Sequence, residues 1–316
     1  MDKFSLTNIE MLLIEPDLNT RVSMRKMLND AGFRKVKEGA GVQDILCEFQ
    51  ISMPDIIISD IHLLDGNFNS FVYKLRHHDV GYNPFLPILA TAFSPTTDDI
   101  RAVVQAGADD LIVKPLPPGR LTQHIRALIT SRKPFMVTSS YIGPDHRRKP
   151  EDKEQAGRQY IPSVDVPNTL RAKAIDAYEY DENKFQRDIR ATIKKVNLQK
   201  LGSHANQTAA LVDKIVPGLA FGPPDEATQK ALNRLLYVAE DIARRMVATK
   251  FEHVAELCQS LIEVTRRIIN DNEYPDHKDV NLLKPLSSAI QHGFEDNDAE
   301  AALMAHKISE SVMFKK

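Results

Sequence analysis

Residues 54–60 read Pro54-Asp55-Ile56-Ile57-Ile58-Ser59-Asp60, a short apolar run that stops on a carboxylate. Three successive isoleucines do not alternate with polar residues, and the run is too short for a typical helix. Both features suit a strand buried on its two faces. Comparable runs lie at 11–14, 87–90 and 111–113, with a weaker one at 35–38. Helical spacing fills the gaps: Val22, Met24, Met27 and Leu28 before a stop at Gly32, then Val42, Ile45, Leu46 and Phe49. Phe71, Val72 and Leu75 continue it, followed by Ile100, Val103 and Val104, and by Leu121, Ile125, Leu128 and Ile129. Five strands alternating with five helices predict an α/β, doubly wound, five-stranded parallel sheet with right-handed crossovers. In such a sheet the site lies at the carboxyl ends of the strands.

Glu15 and Asp17, Asp60, Thr91 or Ala92, and Lys114 stand at those ends. Carboxylates gathered around a lysine suit a hard divalent cation such as Mg²⁺, which takes oxygen ligands from a few carboxylates and a phosphate. The lysine pairs with a carboxylate or phosphate oxygen as a point charge. One carboxylate is then free to act as a nucleophile toward phosphorus, forming an acyl phosphate.

Residues 9–130 resemble the receiver domain of two-component response regulators, the CheY-like, flavodoxin-like family. The matching text is Leu12-Leu13-Ile14-Glu15-Pro16-Asp17, Pro54 through Asp60, Asp65-Gly66, Pro87-Ile88-Leu89-Ala90-Thr91-Ala92, Ala106-Gly107-Ala108-Asp109-Asp110 and Val113-Lys114-Pro115. The resemblance implies that Asp60 accepts a phosphoryl group from a phosphohistidine and that Lys114 pairs with the phosphorylated carboxylate. It also implies Mg²⁺ held by Glu15 through water, by Asp60 and by the backbone carbonyl of His62. A cis Lys114–Pro115 bond is common in the family, in keeping with proline's small trans preference.

The chain departs from the family pattern in four places. Pro16 occupies the position of a second acidic residue that binds metal directly, so Mg²⁺ binding is expected to be weak. Asp17 either supplies that ligand or caps the helix that follows. The loop 61–64 is short and lacks the usual proline. The switch hydroxyl is assigned to Thr91, although an ungapped count back from Gly107 and Lys114 puts Ala92 there. Leu111 stands where many receivers carry an aromatic.

The 316 residues suggest about two domains. With 41 Lys and Arg against 43 Asp and Glu, the net charge is −2, which gives no global attraction to nucleic acid or anionic membrane. Two cysteines, Cys47 and Cys258, are too few for a disulfide framework. No signal peptide or membrane span is legible, and a cytoplasmic protein is expected. The domains read as a receiver at 1–131, a charged, proline-containing linker at 132–174 with extended stretches at 135–137 and 161–166, and an all-α helical bundle at 175–316. That bundle comprises a first helix over about 183–215 interrupted at Gly202, then helices near 225–250, 252–270, 280–294 and 299–313.

No catalytic motif is legible in the helical part, so no separate enzyme is expected. His306 lacks the small, glycine-containing surroundings of a phosphotransfer histidine. His253 and His292 have no partners at metal-ligand spacing, and the pairs Arg244-Arg245 and Arg266-Arg267 read as solvated helix faces. The expected protein is a response regulator with a histidine kinase or phosphotransfer protein as donor. Its helical half binds a protein partner or a second copy of itself. The alternatives are a pseudo-receiver scaffold that works without phosphorylation, and a DNA-binding regulator with an unfamiliar helical output.

Overall fold

The structure is a computed structural model that describes residues 4–117, 119–147, 163–175, 180–220, 222–246, 252–271 and 275–295. It divides into two compact units at Val196/Asn197. The first opens with the predicted alternation: β1 (Glu10–Ile14), α1 (Leu18–Asp30), β2 (Lys35–Gly39), α2 (Val42–Ile51), β3 (Ile56–Asp60), α3 (Phe68–Arg76), β4 (Ile88–Phe93), α4 (Thr97–Ala106), β5 (Asp110–Lys114) and α5 (Arg120–Ser131). The strands form one parallel sheet in the order β2-β1-β3-β4-β5.

Successive strand residues point to opposite faces, so β1, β3 and β4 each feed two cores. Met11, Leu13, Ile56, Ile58, Leu89 and Ile112 pack with Met24 and Leu28 of α1 and Leu121 and Ile125 of α5. Leu12, Ile14, Ile57, Ile88 and Ala90 pack with Ile45, Phe71, Val72, Leu75 and Val103 of α2, α3 and α4. Burial on both faces explains why these strands read as continuous apolar runs.

Loop chemistry fixes the helix ends. Thr96 and Asp99 form a capping box at α4, and Gly107 ends that helix at φ 99°, a left-handed conformation that favours glycine. Asp65, in the loop after β3, accepts hydrogen bonds from Val42 N at 2.5 Å and Gln43 N at 3.1 Å and so caps α2. A Cβ at Gly41 would lie 1.8 Å from Asp65 Oδ1, so only glycine admits this carboxylate.

The segment read as a linker is folded wherever it is described. β6 (Phe135–Val137), β7 (Ile142–Pro144) and β8 (Ser163–Val164) make a small antiparallel sheet in the order β7-β6-β8, followed by α6 (Thr169–Ile175). Phe135, Val137, Ile142 and Val164 are buried with Phe85, and Leu170 and Ala174 join the α1/α5 core. Two of the prolines that suggested a linker flank or end these strands: Pro134 precedes β6, and Pro144 closes the edge strand β7, where a missing N–H is tolerated. The charged run at 148–154 lies outside the described residues.

α7 (Glu182–Gly218) is a single helix of 37 residues, and Gly202 does not interrupt it. One glycine costs a long helix only about 1 kcal/mol. In the early part of this helix Ile189 and Val196 are buried with Phe85 and Phe135, and Ile193 packs beside them. In the second unit, α8 (Glu226–Met246), α9 (Glu252–Asn270) and α10 (His277–Glu295) share one core with the later part of α7. Leu232, Leu235, Ala239, Ile242 and Met246 of α8 meet Val254, Leu257, Leu261 and Ile268 of α9 and Leu283, Leu286 and Ile290 of α10. The helix expected at 299–313, with His306, lies outside the described residues.

Candidate functional site

Asp60 is the last residue of β3 and is 5 % exposed. Its Oδ1 accepts the backbone N–H of His62 at 2.6 Å, and its Oδ2 accepts the ammonium of Lys114. Lys114, the last residue of β5, also donates to Glu15 Oε2 at 2.5 Å. The other oxygen of Glu15 accepts Asp17 N at 3.1 Å. Glu15, Asp60 and Lys114 are therefore brought together at the carboxyl end of the sheet, each nearly closed off from solvent. Two carboxylates share one ammonium, so the trio carries one negative charge when both acids are ionised. The Lys114–Pro115 peptide is cis.

Asp17 does not join them. It is exposed, and its Oδ1 accepts Thr20 N at 2.7 Å as the N-cap of α1. The hydrogen bonds of Thr20 hold the Asp17 carboxyl below the usual range. Of the two sequence readings for Asp17, the cap is the one realised, because an exposed helix start offers unpaired N–H groups directly beside it. His62 contributes its backbone N–H, while its ring is exposed with Nδ1 at 3.7 Å from Asp60 Oδ1.

Thr91 is the register partner of Asp60 in the neighbouring strand and is wholly buried. Strand alternation places it with Leu89 on the α1/α5 face, the face shared by Ile58, Asp60, Ile112 and Lys114. Its hydroxyl makes no hydrogen bond. Ala92, also buried, faces the opposite layer with Ala90.

Among the described residues no three His, Cys, Asp or Glu side chains are grouped as a metal centre. The donor set still fits a hard cation in part. Glu15 and Asp60 offer carboxylate oxygens and His62 a carbonyl, while Pro16 removes the side-chain oxygen that would complete the set.

Two contributors, Arg21 and Phe93, and the role of a third, Asp65, were not apparent from sequence. Asp65 ties the loop after Asp60 to α2, and Arg21 donates to the Glu15 carbonyl at 2.6 Å, steadying the end of β1. Phe93, the last residue of β4, lies under the Lys114 ammonium at 4.4 Å from the ring centroid. Arg21 was visible only as one more basic residue of a helix, and Phe93 only as an apolar residue beyond a strand.

A buried acid at the end of the central strand of a parallel sheet, bonded to a lysine at the end of an edge strand, defines the receiver class. Residues 11–126 match the model of the response regulator receiver domain, and this part of the chain is a CheY-like receiver. The chain is similar to response regulator Rre1 of Synechocystis sp., 29 % identical over 125 residues, 40 % of this chain and 53 % of that protein. It is likewise similar to the KDP operon transcriptional regulatory protein KdpE of Escherichia coli, 31 % identical over 124 residues, 39 % of this chain and 52 % of that protein. The chain thus spans about half the length of the curated relatives it matches. Among solved structures, chemotaxis protein CheY4 of Vibrio cholerae matches at 24 % identity and TM-score 0.34, over 37 % of this chain and 96 % of that one. The receiver domain of sensor histidine kinase PA1611 of Pseudomonas aeruginosa, which holds a magnesium ion in its active-site cleft, matches at 24 % identity and TM-score 0.33, over 37 % and 93 %. No helix among the described residues is long and apolar enough to cross a membrane.

Proposed function

We propose that the chain is a phosphorylated response regulator whose acceptor is Asp60. The observation that carries this reading is the buried Asp60 carboxylate, bonded to Lys114 on one oxygen and to the His62 N–H on the other. In the transfer, a carboxylate oxygen of Asp60 attacks phosphorus, the P–N bond of a donor phosphohistidine breaks, and its electron pair returns to the imidazole. Lys114 stays beside the new acyl phosphate and pairs with a phosphoryl oxygen. Mg²⁺, when bound by Asp60, Glu15 and the His62 carbonyl, would neutralise phosphoryl charge. The donor is a histidine kinase or a phosphotransfer protein, and the second unit carries the output by binding a protein. Cytoplasmic placement belongs to this same reading.

Acetyl phosphate with Mg²⁺ is expected to label the wild type and to leave Asp60→Asn unlabelled. Equal labelling of the two would remove the proposal, and labelling of neither would favour a scaffold that acts unphosphorylated, the reading that Pro16 and Ala92 favour. Pro16→Asp is expected to tighten Mg²⁺ binding by about tenfold, because a further carboxylate adds charge and an oxygen ligand. Titration calorimetry of the two proteins checks this, and equal affinities would mean that position 16 faces no cation.

A further inference from the structure

Lys114 makes a contact that the transfer step does not require. Phe93 and Lys114 are register partners on adjacent parallel strands, so their side chains leave the same face of the sheet side by side. The ammonium sits over the Phe93 ring, 4.4 Å from its centroid. Phe93 is 53 % exposed although the lysine it touches is 3 % exposed, so the ring forms the outer wall of the site. Ser94, next in the chain, holds φ 44°, a left-handed conformation uncommon outside glycine, and the strand ends there. The turn keeps Phe93 in the sheet beside Lys114. The same two side chains, with Met24, Met27 and Leu116, line a groove of about 320 Å³ against α1.

We propose that Phe93 is a positioning residue for Lys114, its ring holding the ammonium at the mouth of the site, ready for the phosphoryl group on Asp60. This rests on the phosphoacceptor reading above. An ammonium has three N–H donors, and Glu15 and Asp60 take one each. The ring attracts the charge through its face and supplies no lone pair that competes with a phosphoryl oxygen. Glu15 pulls the same ammonium inward, so without the ring Lys114 is biased toward the two acids and away from the incoming group.

Beryllofluoride, a phosphoryl mimic, tests this on the full chain by fluorine NMR with Mg²⁺ present. Phe93→Leu keeps apolar bulk and loses the ring; Phe93→Tyr keeps the ring. The leucine variant is expected to bind beryllofluoride about three- to thirtyfold more weakly than wild type, with the tyrosine variant within about twofold of it. Equal or tighter binding by the leucine variant would overturn the inference, as would an equal loss in the tyrosine variant, which would point to shape rather than to the ring. A wild type that binds no beryllofluoride would overturn the phosphoacceptor reading and this inference with it. Circular dichroism of both variants, expected to match wild type because Phe93 lies on the surface, separates these outcomes from misfolding.

Discussion

Replacing Asp109 by alanine is expected to destabilise the first unit by about 3–5 kcal/mol, the cost of removing one partner from a buried ion pair. Asp109 Oδ2 accepts Arg76 Nη2 at 3.0 Å, Arg132 Nη2 at 3.1 Å and Ile88 N at 2.8 Å, and Oδ1 accepts Arg132 Nε at 2.6 Å. Arg76 has no exposed side-chain surface. Three more of its N–H groups reach the carbonyls of Pro84, Leu86 and Gly107, and Phe135 lies against both guanidiniums. Burial pushes the Arg76 guanidinium down to about 10, still charged at neutral pH, so the alanine variant leaves two arginines without their counter-ion. The network ties the starts of β4 and β5 to α3 and to the sheet β6–β8. Loosening it disturbs the two strands whose far ends carry Thr91 and Lys114. Urea unfolding followed by circular dichroism measures the loss. The exposed pair Arg101–Asp98 provides the control, because Asp98→Ala is expected to cost at most about 0.5 kcal/mol. A loss at Asp109 no larger than the control would contradict the account.

The second unit contains its own buried charge centre. Asp241 of α8 accepts His204 Nε2 at 2.8 Å, Arg245 Nε at 2.9 Å and Arg244 Nη2 at 2.6 Å, and Lys200 Nζ lies at 3.3 Å. Lys200 and His204 are wholly buried. Burial pushes the His204 imidazole down, toward its neutral form, and Lys200 down to about 8. Asp241→Ala leaves Lys200 and Arg245 without their acid and is expected to cost this unit about 3–5 kcal/mol. The outcome that contradicts it is a midpoint no lower than that of Glu240→Ala, which breaks only the exposed pair with Arg266.

Acid gives a second reading of Asp241. Burial alone would raise its pKa, but the His204 and Arg245 hydrogen bonds and the nearby positive charges outweigh burial and hold the carboxyl far below the usual range. A carboxyl depressed in the folded state contributes stability above its unfolded pKa of about 4, and that contribution fades as pH falls below it. The wild-type unit should therefore lose stability between about pH 5 and 3 more steeply than Asp241→Asn.

The receiver was legible because β1, β3 and β4 are buried on both faces and the site residues sit directly at or just beyond strand ends. Ile56 through Asp60 and Val113 through Pro115 announce strand and site in a few letters. In the segment 132–174 the extended stretches at 135–137 and 161–166 hold β6 and β8, but β7 and the sheet they form were not legible, because strands of two or three residues are too short to show a period. The Asp109 and Asp241 networks join residues far apart in sequence, and a single Arg or Asp carries no sign that it will be buried. Asp17 was ambiguous for a physical reason: the residue after a strand end is also the residue before the next helix, and a carboxylate serves either a cation or a cap.

Phosphorylation of Asp60 is tested by locating the phosphoryl group itself. The full chain is incubated with acetyl phosphate and Mg²⁺ and reduced with borohydride, which converts an aspartyl phosphate to homoserine, and the peptides are read by mass spectrometry. Homoserine is expected at position 60 and at no other aspartate, and none after Asp60→Asn. Conversion at another aspartate, or a phosphoryl group that survives in Asp60→Asn, would contradict it.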